Sequence, residues 1–118
     1  MNKIEIMGRL TKDVEMKMTK NKKEVYTFTL AVPRKMDKET VDFIDCIAFA
    51  KLGEIIEKYT SKGNKIIVCG SLEINHYEDK DGNKRVAPTV VVDDFYFTDG
   101  KPTKNENTKE EVTNDLPF

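Results

Sequence analysis

Apolar and polar residues alternate with a period of two along much of this chain. From Asn2 to Leu10, Ile4 and Ile6 alternate with Lys3 and Glu5, the spacing of a half-buried strand in which Gly8 permits a bend or bulge. Val14 to Met18 continues the extended pattern into a polar, basic turn from Thr19 to Lys23. Tyr26, Phe28, Leu30 and Val32 then share one face, with Thr27 and Thr29 on the other, until Pro33 ends the run. Val41 to Phe49 reads as a third strand with two apolar faces. Phe43, Ile47 and Phe49 lie on one parity, Ile44, Cys46 and Ala48 on the other, and Asp45 interrupts the first. A small barrel has one interior, so the second face has to be covered by another subunit or by a ligand.

The period changes after Phe49. Leu52, Ile55, Ile56 and Tyr59 recur at helical spacing with Glu54, Glu57 and Lys58 between them, which predicts an amphipathic helix of two to three turns that Gly63 stops. A fourth strand runs from about Lys65 to Tyr77, with Ile66, Val68, Leu72 and Ile74 facing the core and a bulge at Gly70. Asp81-Gly82 marks a hairpin turn, and Arg85 to Phe97 returns as the fifth strand. The order, three strands, one helix, two strands, predicts an all-β fold: a five-stranded OB barrel with its one helix between strands 3 and 4. Other small barrels and sandwiches share that count. The expected domain spans 1–100. Residues 101–114 are mostly polar and lead to a closing Asp115-Leu116-Pro117-Phe118, and 101–118 are expected to form a disordered C-terminal tail.

The 118 residues suffice for one modest core. No apolar run approaches a membrane span, and the acid at Glu5 precludes a secretory signal, so a cytoplasmic location with no membrane partner is expected. Twenty basic against twenty-one acidic residues leave the net charge at −1, so any attraction for nucleic acid must come from local clustering. Cys46 and Cys69 have no CxxC spacing, and His76 is the only histidine. Both cysteines are read as small buried hydrophobes, with no metal site and no cofactor. Neither a glycine-rich phosphate loop nor a plausible triad is present, so no catalytic residue is assigned.

The remaining candidates suit a binding surface. Basic residues cluster at three connections: Lys20, Lys22 and Lys23; Arg34, Lys35 and Lys38; Lys80, Lys84 and Arg85; and Arg9 of the first strand joins them. Phe43 and Phe49 either stack on bases or fill a subunit interface, and Tyr77, opposite in parity to Leu72 and Ile74, points outward near the hairpin mouth. Tyr26 and Phe28 belong to the core. An OB barrel holds single strands through such a mixture, since phosphates need cations and every base has a π-face.

Several blocks, in order, resemble the bacterial single-stranded DNA-binding protein family. They are Asn2-Lys3-Ile4, Gly8-Arg9-Leu10-Thr11-Lys12-Asp13, Phe28-Thr29-Leu30-Ala31-Val32, Asp42-Phe43-Ile44-Asp45-Cys46, Phe49-Ala50-Lys51-Leu52-Gly53-Glu54, Lys62-Gly63, Gly70-Ser71-Leu72 and the terminal Asp115-Leu116-Pro117-Phe118. The resemblance implies an OB-fold homotetramer, bacterial or bacteriophage in origin, that coats single-stranded DNA during replication, recombination and repair and catalyses nothing. It carries stacking positions onto Phe43, Phe49 and Tyr77, with a further one near Met36. It also implies that Asp115, Leu116, Pro117 and Phe118 form a tip that recruits DNA replication and repair enzymes. Met36 is not aromatic, Phe43 and Tyr77 stand where tryptophan is frequent, and Ile44 replaces a residue that is often polar.

Overall fold

The computed structural model describes residues 1–98, so the tail and its tip lie outside the described residues. The elements are β1 (Ile4–Leu10), β2 (Glu15–Met18), β3 (Glu24–Pro33), β4 (Val41–Phe49), α1 (Ala50–Tyr59), β5 (Lys65–Glu78) and β6 (Lys84–Phe97). The sheet order β1-β5-β6-β4-β3-β2 is closed by a further β1–β3 pairing, which makes a ring of five strands. β2 is not a separate wall of that ring. β1 ends on β3 at Leu10↔Leu30, and β2 takes up the same edge of β3 from Glu15↔Thr27 onward. The two behave as one strand broken at residues 11–14, where the Leu10 carbonyl accepts from the Gly63 amide and the Asp13 carboxylate accepts from the Lys62 amide.

Inside the ring, Phe28 and Leu30 of β3, Cys46 and Ala48 of β4, Ile66 and Val68 of β5, and Val90 and Val92 of β6 pack with Leu10 and Val14. The face of β4 bearing Ile44, Cys46 and Ala48 is therefore the interior one, and the face bearing Phe43, Asp45, Ile47 and Phe49 is outside. Helix α1 closes one end of the barrel through Ile56, which is fully buried. Gly53 lies flat against Tyr26: a Cβ there would fall 2.2 Å from Tyr26 Cδ1.

Four expectations need correction. Gly8 makes no bulge, because β1 pairs with β5 without interruption from Ile4 to Arg9; the glycine admits the Ala31 carbonyl, 2.6 Å from where a Cβ would stand. Gly63 does not stop the helix either. That ends at Tyr59 with Thr60 extended and its hydroxyl donating to the Ile56 carbonyl, while Gly63, at φ +91°, serves the following turn against Leu10. Leu72 and Ile74 are 39% and 48% exposed rather than core. The last β4–β6 pair is Asp45↔Thr89, so the β5–β6 hairpin runs past the barrel and the same strand face no longer has a layer opposite it. Cys69 is half-buried on the outer face, its thiol 3.5 Å from Glu5 Oε2, whereas Cys46 is buried and desolvation raises its thiol to about 12. The bulge expected at Gly70 is present, where the partner steps from Asp94 to Val92 between Cys69 and Gly70.

Candidate nucleic-acid interface

The outer face is organised in rows that the strand register dictates. Arg9, Ala31 and Phe43 lie side by side across β1, β3 and β4. One pleat further along, Thr29, Asp45, Thr89 and Glu73 form a row across β3, β4, β6 and β5. Next come Glu15, Thr27, Ile47, Val91 and Ser71, and last Lys17, Val25 and Phe49. Phe43 and Phe49 thus stand on one strand face about 20 Å apart, six residues at the rise of a strand.

All four proposed stacking positions reach solvent: Phe43 is 67% exposed, Phe49 44%, Tyr77 53% and Met36 98%. Single exposed apolar residues are ordinary, but two phenylalanine rings on one strand face, beside an exposed tyrosine on the neighbouring hairpin, offer a surface that a ligand or partner can cover. Phe49 is unusual in a second respect. It occupies the N-cap of α1, with extended backbone and no side-chain cap hydrogen bond. The next residue, Ala50, has φ +51°, in the left-handed region that a residue with a Cβ rarely adopts, so the chain turns sharply from β4 into α1 directly after Phe49.

Two grooves flank the Phe43 row. The first, about 570 Å³, runs under Phe49 and is lined by Lys12, Lys17, Glu15, Asp45, Glu73 and Asn75 among others. The second, about 630 Å³, has an apolar floor of Met7, Ala31, Pro33 and Val41 and a rim of Arg9, Arg34, Lys35, Lys38 and Lys65, with no carboxylate lining it. The structure therefore brings Arg9, Arg34 and Lys35 together, as a site for an anion requires. It leaves Lys20, Lys22 and Lys23 in the β2–β3 turn, past the Phe49 row, and Lys80, Lys84 and Arg85 on the β5–β6 hairpin with Tyr77. Met36 sits in the β3–β4 connection beyond Phe43.

Not all of these cations are equally available. Arg34 is held by Asp42, Nε to Oδ2 at 3.0 Å and Nη2 to Oδ1 at 3.1 Å, and the pairing lowers the Asp42 carboxyl below its ordinary value. Arg85 Nε donates to Asp79 Oδ2 at 2.9 Å and so belongs to the hairpin turn as much as to any ligand. Sequence reasoning missed Lys65, Lys17 and Lys12. Lys65 opens β5 and becomes part of the basic rim only because β1 carries Arg9 to the position opposite it, a neighbour that no local pattern reveals.

A family model described as the single-strand binding protein family matches residues 1–98. This chain belongs to that family. Among relatives of the single-strand binding protein family, the single-stranded DNA-binding protein of Clostridium perfringens is 45% identical over 100 residues, covering 84% of this chain and 67% of the relative. The Thermotoga maritima protein of the same name is 38% identical over 116 residues, covering 93% and 82%. Single-stranded DNA-binding protein 2 of Staphylococcus aureus is 39% identical over 105 residues, covering 86% and 74%. By their names, these relatives bind single-stranded DNA. Among the described residues no helix is long and apolar enough to cross a membrane.

Proposed function

We propose that this chain binds and protects single-stranded DNA without strong sequence preference during replication, recombination and repair in a bacterial or phage-infected cytoplasm. The observation that carries the reading is the outer face of β4, where Phe43 and Phe49 are exposed on one side of a sheet whose flank holds Arg9, Lys35, Lys38 and Lys65 without a lining carboxylate, beside an Arg34 that is paired with Asp42. Bases stack on Phe43, Phe49 and Tyr77, with Met36 covering a further base. Phosphates follow Arg9, Arg34, Lys35 and Lys65, extended by the lysines of the two turns. Residues 1–100 form the binding domain. Residues 101–118 form a tail whose tip, Asp115 to Phe118, recruits DNA-maintenance enzymes by burying the terminal ring in a basic-rimmed pocket on the partner.

The chain assembles as a homotetramer. Support for self-association comes from Leu72, Ile74 and Val86, exposed apolar residues on one face of the projecting hairpin.

The test is an alanine series read by anisotropy of a labelled oligonucleotide. Phe43→Ala, Phe49→Ala and Tyr77→Ala should each weaken binding by about 1–3 kcal/mol, with Met36→Ala costing less. Deleting Asp115 to Phe118 should leave this affinity intact while abolishing capture of DNA-maintenance enzymes. Unchanged affinity in all three aromatic variants would remove the reading.

A further inference from the structure

Resting on that reading, a role at the phosphate rim falls to a residue outside the groove, Asp42. In the β3–β4 ladder Val32 is opposite Asp42 and Pro33 opposite Val41. Successive strand residues point to opposite faces. Val41 lines the apolar floor of the basic groove, whereas Asp42 takes the parity of Ile44 and Cys46 and does not line it. Arg34, the first residue after β3, joins the two sides. It lines the groove, and its Nε and Nη2 donate around the ladder end to Asp42 Oδ2 and Oδ1 at 3.0 and 3.1 Å.

That grip uses one edge of the guanidinium. The Nη1–Nη2 edge remains, a second planar fork that matches two oxygens of a phosphate. Both ends of the side chain are fixed. The Arg34 amide donates to the Thr40 carbonyl at 3.0 Å, and Thr40 Oγ1 donates to Asp37 Oδ2 at 2.6 Å. A long side chain ordered before its ligand arrives loses less freedom on binding. Asp42 thus has two effects of opposite sign: its charge repels a polyanion, and its hydrogen bonds aim the fork. The pair is 59% and 45% exposed, so water and salt weaken the repulsion, while the aim depends only on the short contacts.

We propose that Asp42 is a positioning residue for single-strand binding, holding the Arg34 guanidinium so that its second fork meets a backbone phosphate. Removing this carboxylate therefore weakens the binding of a polyanion.

The experiment titrates labelled oligo(dT) with the unaltered full chain, Asp42→Ala, Arg34→Lys and the Arg34→Lys/Asp42→Ala double variant at neutral pH and one salt concentration, each folded by circular dichroism. Asp42→Ala should bind about two- to tenfold more weakly, the cost of ordering one long side chain. Lysine is a point charge with no second fork, and Asp42 can only sequester it. In the Arg34→Lys background the same Asp42→Ala substitution should therefore tighten binding. Unchanged or tighter binding by Asp42→Ala in the natural background would overturn the proposal, since the carboxylate would then only offset charge. So would weakening by the same factor in both backgrounds, which would mean that Asp42 holds the connection and not the fork. If the unaltered chain does not bind oligo(dT), the single-strand reading falls and this inference falls with it.

Discussion

Arg9 of β1 lies directly across the ladder from Lys65 of β5, two cations in register on the outer face of the sheet. Like charges so placed destabilise a sheet by a few tenths to about 1 kcal/mol, and an anion between them removes that cost. Arg9 is partly steadied by its donation to the Gly63 carbonyl at 3.0 Å. Lys65→Gln should therefore leave thermal stability unchanged or slightly raised. The same substitution should weaken single-strand binding and reduce the slope of log affinity against log salt by about one phosphate's share. An unaltered slope would place the phosphates elsewhere.

Ala50 separates stability from binding. Its φ of +51° lies in the left-handed region, which costs a residue bearing a Cβ about 1–2 kcal/mol and costs glycine little. Ala50→Gly should accordingly be at least as stable to urea as the unaltered chain and keep its single-strand affinity, whereas Phe49→Ala should lose affinity. A lowered midpoint in Ala50→Gly would contradict the turn described at the start of α1.

Gly53 against Tyr26 sets the fit of α1 on the barrel. Because the added methyl would meet the Tyr26 ring at 2.2 Å, Gly53→Ala forces the helix or the ring to move, at about 1–3 kcal/mol for an overpacked core. The usual gain from alanine inside a helix, close to 1 kcal/mol, does not offset it fully. A lower melting temperature is expected by calorimetry, and a higher one would contradict the packing described.

The β5–β6 turn is acid-sensitive through Asp79. Its carboxylate accepts from Arg85 Nε and from the Asp81 and Asn83 amides, and the Arg85 hydrogen bond, followed by those amides, holds its pKa below the ordinary aspartate value. A folded-state pKa below the unfolded one means that the stabilisation is present above the unfolded value and is lost as pH falls through the folded one. The Asn83 amide resonance should thus titrate below the range of an ordinary aspartate, and Asp79→Asn should abolish that transition. A midpoint at or above the ordinary value would contradict the turn geometry.

Much of this was legible in the sequence, for reasons that differ by residue. Tyr26, Phe28 and Leu30 announce a core face because period-two alternation is local, and Phe43 and Phe49 share an outer face for the same reason. Leu72 and Ile74 mislead because parity reports which face a residue is on and not whether another layer lies opposite it. The basic rim is the least legible feature: Arg9, Arg34 and Lys65 are far apart in sequence and meet only through the β1–β5 and β1–β3 registers. Asp45 read as an anomaly in an apolar strand, and its place in a row with Glu73 depends on the parallel β4–β6 pairing, which hydrophobic periodicity does not encode.

The central claim is that exposed aromatic rings on one sheet face hold unstacked bases while a neighbouring cationic rim holds the phosphates. Equilibrium titration of the full chain with a labelled single strand and with duplex DNA of equal length, in parallel across a salt series, tests it most directly. Three stacked bases at about 1 kcal/mol each predict a single-strand preference of about a hundredfold, since duplex bases are already stacked on one another. That preference should persist as salt weakens both. Equal affinity for the two forms, or a preference that vanishes at high salt, would show that charge alone drives binding and would contradict the account.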